Sequence, residues 1–174
     1  MKRELGTVGG LRLTAEPSAY ISFAFVFILL VIGGLVLLDL PVVVVIIGAA
    51  LGTIWHWVAE YLHQYGHALA ASRIGHPMTG IHFWGVLGRS IYPEDESELS
   101  PREHIYRALG GPALSTLLTI MLGLLVLVTG AIGGAVYYLV YFMFLDNLLV
   151  FTIGPWIPLG FNDVSTILYW MRGA

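Results

Sequence analysis

His63-Gln64-Tyr65-Gly66-His67 sets two imidazoles four residues apart in a stretch that reads as helix. At that spacing both rings project from one face, about a turn apart, and can chelate a single ion. Glu60 and His56 continue the same stripe, because offsets of 4, 7 and 11 from His56 return to a common face at about 3.6 residues per turn. Two histidines do not complete a tetrahedral zinc site, which takes a third protein ligand and keeps an open position if it is catalytic. The chain has no cysteine, so that ligand must be His, Asp or Glu.

Asp146 and Asp163 are the candidates for it. Asp163 follows the breaker-rich Pro155-Trp156-Ile157-Pro158-Leu159-Gly160-Phe161-Asn162, and reads equally well as a ligand or as a helix N-cap. Asp146 sits inside an apolar stretch and reads better as a buried partner for a His or Arg. His56 and Glu60 read either as groups that orient the ligands from behind or as polar helix-packing contacts. His76, His82 and His104 fall in a connection or at a helix start and read as ordinary interfacial residues. A di-iron oxidase would need more His and carboxylate ligands than this one His pair provides.

The elements that must position these groups are membrane helices. The chain is 57% apolar and only 11% charged over 174 residues, with a mean hydropathy of +0.83, so its apolar surface must face lipid. Four stretches are long enough to cross a hydrocarbon core: 20–38, 42–72, 102–128 and 131–151, with an interfacial connection over 73–101. The first ends in Leu38-Asp39-Leu40-Pro41, which offers no small-residue cleavage site, so a retained span is expected rather than a signal peptide. The short turns after the first and third spans make those pairs antiparallel hairpins. The expected architecture is an all-α polytopic membrane protein forming a single domain over 1–174. A small membrane-surface β-hairpin or sheet and a short C-terminal helix complete it.

All eight Lys and Arg residues lie in the N-terminal segment, the 73–107 connection or the C-terminus, which four spans put on one side. The positive-inside rule makes that side cytoplasmic. Counting from Pro41, His63 lies roughly 33 Å along its helix, near the cytoplasmic face of the bilayer. The net charge of −3 points to no nucleic acid. Within the connection, 81–92 mixes aromatic and β-branched residues with glycine, the pattern of a short surface hairpin or of an apolar interfacial loop. Pro93 to Glu98 reads as a solvated acidic link. Ser100-Pro101-Arg102-Glu103 has the form of a capping box opening the third span, and Gly10-Leu11-Arg12-Leu13-Thr14 alternates like a strand.

Taken together, these motifs resemble the site-2 protease family of intramembrane zinc metalloproteases, in its small bacterial and archaeal form. His63-Gln64-Tyr65-Gly66-His67-Ala68-Leu69-Ala70-Ala71 matches the family's HExGHxxAA signature except at the Glu. Arg107-Ala108-Leu109-Gly110-Gly111-Pro112-Ala113-Leu114-Ser115 resembles its third-helix GP stretch, with Ser115 where Asn is common. Asn147 through Asn162-Asp163 resembles the Asn- and Pro-rich approach to its DG ligand motif, with Val164 in place of Gly.

The resemblance implies zinc held by His63, His67 and Asp163, with His56, Glu60, Asn147 and Asn162 as supporting groups. It implies hydrolysis of a peptide bond in a membrane-spanning substrate, unwound against an edge strand placed at 81–92 (Ile81, Phe83 and Val86). It also implies a prokaryotic cell membrane as the location, with the bilayer and a membrane-embedded client as partners. In such enzymes a Glu beside the first His acts as general base and later protonates the leaving amine. Gln64 has no titratable carboxylate and cannot take that role, so the chain is expected to bind metal but to cleave slowly or not at all. Either a Glu→Gln replacement in an active enzyme, or a natural pseudoprotease that binds membrane clients, accounts for this. A third route has Glu60 substituting from one turn away.

Overall fold

The computed structural model describes residues 2–173. Strands β1 (Arg3–Val8) and β2 (Leu11–Ala15) lead into helix α1 (Pro17–Leu37), then α2 (Val42–Arg73), strands β3 (Gly80–Trp84) and β4 (Leu87–Ile91), and helix α3 (Pro101–Gly130). Helix α4 (Gly134–Asp146) continues as a π-helical segment, Asn147–Ile153, and a 3₁₀ turn, Gly154–Trp156, before the short helix α5 (Asp163–Met171). Four helical stretches are long and apolar enough to cross a membrane: Pro17–Leu37, Val42–Arg73, Pro101–Gly130 and Gly134–Trp156. The chain is an integral membrane protein.

Lipid-facing apolar side chains dominate α1, whose one fully buried residue is Ala19. The polar stripe of α2 is turned inward instead: His56, Glu60, His63, Gln64 and His67 are all buried. That follows from the cost of leaving ionisable groups in hydrocarbon. Helix α2 packs most extensively on α3, and glycines set how closely. A Cβ on Gly66 would run into the backbone of Gly110, and one on Gly110 into the backbone of Gly66. Small residues at a membrane helix crossing allow this approach, which is the structural reason for the Gly inside the His63–His67 motif.

Ser100 caps α3 as its sequence predicts, accepting from the Glu103 N–H while the Glu103 carboxylate accepts from the Ser100 N–H at 2.7 Å. The link before it is not solvated along its length. Glu96 takes two hydrogen bonds from Nη1 of Arg107, at 2.8 and 2.9 Å, and the Arg107 guanidinium lies 3.4 Å from the ring centre of Tyr92. An ion pair beside an aromatic ring at the membrane surface holds the acidic link against α3, where composition alone suggested free hydration.

The four strands form one sheet in the order β1-β2-β3-β4. Gly9 and Gly10, with φ of 56° and 81°, make the tight turn between β1 and β2. Strand β2 pairs parallel with β3, Thr14 opposite His82, so the N-terminal segment and the 73–107 connection share one side of the molecule. Strand β4 pairs antiparallel with β3 and forms an outer edge. Leu11, Ala15, Ile81 and Phe83 pack from the sheet against α2 around Ala68, with Trp57, Tyr61 and Tyr65 at the border.

Candidate metal centre

Nε2 of His63 and Nε2 of His67 lie 3.2 Å apart. The Asp163 carboxylate closes the triangle, Oδ2 at 3.2 Å from His63 and Oδ1 at 3.2 Å from His67. These three residues are the group of ligand-type side chains whose atoms converge among the described residues. A tetrahedral ion with bonds of about 2.0–2.1 Å needs ligand atoms about 3.3 Å apart, so the donor set and its spacing fit zinc.

Each ring is oriented from behind. Nδ1 of His67 donates to the carbonyl of Arg107 at 2.8 Å, and a carbonyl can only accept, so the hydrogen sits on Nδ1 and Nε2 keeps its lone pair. Nδ1 of His63 meets the Ser115 hydroxyl at 3.0 Å. Both supports come from α3, held close by the glycine crossing. Gly111 leaves the space in front of the rings open: a Cβ there would lie 2.6 Å from Nε2 of His63 and would strike Nε2 of His67.

Asp163 is the first residue of α5, and Asn162, not Asp163, stands at the N-cap. The Asn162 side chain folds the preceding loop, its amide donating to the carbonyls of Gly154 and Pro155 at 3.3 and 3.2 Å. Helix α5 is docked on α3 by Trp170, which stacks on His104 with ring centres 4.0 Å apart. His104 is therefore a packing residue for the ligand helix.

The remaining candidates are placed one step away. Asn147 is fully buried at the start of the π segment, donating to the Ser115 carbonyl at 2.8 Å and to Thr119 at 2.7 Å, so it braces α3 behind Ser115. A π segment beside a functional cluster is a recurring device for re-aiming a helix. His56 bonds Asp146 through Nδ1 and the Val86 carbonyl through Nε2, each at 2.9 Å, and does not touch the ligands. Asp146 is thus a buried histidine partner. Glu60 and Gln64 bond one another and β4. His82 is buried in the sheet against Thr14, not interfacial, because the parallel pairing covers it.

Ile81 and Phe83 lie on the inner strand β3 with buried side chains, and Val86 is in the turn, so the free edge belongs to β4 instead. Ser115, Gly111, the Arg107 carbonyl and Trp170 were not singled out as site residues from sequence. The signal for the first three was the Arg107–Ser115 stretch that resembles the family's third-helix motif, which carries Gly110-Gly111 and Ser115 but does not say what each residue touches. A cavity of about 910 Å³ reaches the cluster and is also lined by Gln64, Gly88, Ser90, Phe151 and Phe161.

No protein-family model matches the chain, and no curated protein matches it. Among solved structures, it is similar to the Site-2 Protease from Methanocaldococcus jannaschii, with a TM-score of 0.62 and 18% identity over 99% of this chain and 72% of that one. The comparison and the four apolar helices agree: this chain has a site-2-protease-like fold.

Proposed function

We propose that this protein is a zinc-dependent intramembrane peptidase of the site-2 protease type, impaired in cleavage by Gln64. The observation that carries the reading is the convergence of His63, His67 and Asp163 to within 4.8 Å of one another beside a cavity bordered by an edge strand. Those three residues would hold the ion. Zinc bound there supplies a Lewis acid that polarises a scissile carbonyl and makes water a stronger nucleophile. The Arg107 carbonyl holds the His67 imidazole in the ligating tautomer, and the Ser115 hydroxyl braces the His63 ring at Nδ1. Burial of the cluster between α2, α3 and α5 limits access of bulk water to it. The outer strand β4 borders the cavity and would form a wall for an extended membrane segment, with the backbone groups of Gly88 themselves taken by Glu60 and Gln64.

Gln64 stands where the family's proton carrier is expected, and its amide can hydrogen-bond a water without taking its proton. Glu60 is a poor replacement, because its Oε1 already accepts from Gln64 and from the Gly88 N–H. Metal content per chain is the direct test, with about one zinc expected in the parent and none in His63→Ala. Gln64→Glu is expected to give metal-dependent cleavage of membrane-span peptides. Inactivity of the metal-loaded Gln64→Glu chain against a broad panel, alone and combined with Glu60→Gln, would overturn the enzyme reading.

One observation favours a second reading, a client-binding protein that does not cut. Gln64 uses both ends of its amide, donating to Glu60 and to the Gly88 carbonyl and accepting from Ser90, as only an amide can. This reading predicts client co-purification unchanged by Gln64→Glu. For either, we place the N-terminus, the 73–107 connection and the C-terminus in the cytoplasm on the distribution of Lys and Arg, and the prokaryotic cell membrane on the family resemblance alone. Single introduced cysteines read by membrane-impermeant labelling test this in a chain that has no cysteine. Labelling of the 73–107 connection from outside would reverse it.

A further inference from the structure

Gly88 of the outer strand lies against α2, and both of its backbone groups are taken by side chains of that helix. Its N–H donates to Oε1 of Glu60 at 2.8 Å, and its carbonyl accepts from Nε2 of Gln64 at 3.1 Å. The same Gln64 nitrogen donates to the same Glu60 oxygen at 2.9 Å, and the Gln64 oxygen accepts from Oγ of Ser90 at 2.8 Å. Glu60 is only 2% exposed. A carboxylate buried this deeply needs strong partners to remain there. Glycine at 88 belongs to the arrangement, since a Cβ there would lie 2.8 Å from the Glu60 oxygen.

The pairing has a chemical logic. The backbone of Gly88 offers one donor and one acceptor, so the groups facing it must supply one acceptor and one donor. A carboxylate at 60 with an amide at 64 does this and also satisfies the contact between the two side chains. Carboxylates at both positions would set like charges about 3 Å apart and turn an acceptor towards the Gly88 carbonyl, leaving a buried acceptor unpaired.

We propose that Glu60 is a positioning residue. With Gln64 it clamps Gly88 and fixes the edge strand β4 against the turn of α2 that carries His63 and His67. The clamp rests on the peptidase reading only for what the edge is for, the wall along which an extended client lies. It gives Gln64 a second role as the amide partner that Glu60 requires.

Hydrogen exchange of the full chain in detergent micelles, with zinc content measured on the same samples, tests this through peptides covering 86–91. Glu60→Leu and Gln64→Glu should each speed exchange there on the order of tenfold, the effect of one buried hydrogen bond. Glu60→Gln, which keeps an acceptor for Gly88, should stay close to the parent. The double variant Glu60→Gln/Gln64→Glu again has one amide and one carboxylate, and should exchange more slowly than Gln64→Glu alone. Peptides from α3 should be unchanged throughout, which separates loss of the clamp from unfolding. Parent-like exchange in Gln64→Glu, or equal exchange in Glu60→Gln and Glu60→Leu, would overturn the proposal. Should Glu60→Leu fail to fold, the comparison of the single and double variants at 64 decides it. Absence of zinc from every sample would count against the peptidase reading and not against the clamp.

Discussion

Gly111→Ala places the smallest possible side chain in the one space the metal reading needs empty. The added methyl would sit 2.6 Å from Nε2 of His63 and 2.7 Å from its Cε1, and it would also strike Nε2 of His67. Ordinary carbon contacts begin at about 3.5 Å, so close to an ångström must be recovered. Retreat of helix α3 would open the close backbone contact of the adjacent Gly110 with Gly66, so relief by separating the helices sacrifices that packing. Otherwise the rings must rotate, and rotation breaks the bonds from Nδ1 to Ser115 and to the Arg107 carbonyl. Overpacking of this kind costs about 1–3 kcal/mol of stability. Loss of the orienting bonds alone weakens metal affinity about 10–100-fold, and the methyl also competes for the ion's volume. The expected result is loss of zinc at affinities where the parent holds about one equivalent. Competition titration with a zinc indicator measures it on purified chain, alongside a thermal melt of the metal-free forms. Gly123→Ala, whose methyl meets only Phe144 at 3.3 Å, serves as the control. Zinc binding by Gly111→Ala with parental stoichiometry and affinity would refute the placement of the ion between these three residues.

Other perturbations follow from the same geometry. Ser115→Ala removes the partner of His63 Nδ1 and should weaken zinc about 10–100-fold, with Ser115→Thr restoring most of it; the same titration reads both. Trp170→Ala removes the stack on His104, worth about 0.5–1.5 kcal/mol beyond buried area, and should lower zinc affinity by loosening Asp163 without changing any ligand. Burial, together with the positive charges of Lys2 and Arg89, holds the His82 imidazole below its ordinary value. The unfolded chain then binds the proton more readily, so stability should fall as pH drops through about 6.5, the unfolded value. Melting temperatures between pH 5 and 8 check this, and His82→Gln should flatten the slope.

The helices and the His pair were legible because hydrophobic run length and an i, i+4 spacing are local signals. The four spans, the capping box at Ser100 and the inward stripe of α2 all lie within single segments. What sequence could not supply was set by contacts between distant segments. From its local residues alone Asp163 reads equally as a cap or a ligand, and only the resemblance favours the ligand; the loop folded by Asn162 is what turns its carboxylate to the two rings. The edge strand was assigned over 81–92 without resolving that Ile81 and Phe83 are inner, because strand order depends on β2 arriving from the other end of the chain. Glu96 was read as solvated because its partner Arg107 lies beyond the start of the next helix. His104 gave no sign of its role, since nothing local announces an aromatic partner in α5.

The parallel pairing of β2 with β3 has a consequence for biosynthesis. Residues 11–15 leave the ribosome well before 80–84, and two membrane helices are made between them. The N-terminal hairpin must therefore wait, unpaired, until α1 and α2 have both been threaded through the bilayer and the chain has returned to its starting side. Only a completed helical hairpin, with both spans crossing, brings the two strands together. The sheet thus acts as a clasp that closes only after two spans have crossed, and it records that the first helical hairpin is complete. An N-terminus stranded on the opposite face would leave β3 without its neighbour and the wall of the cavity unsupported.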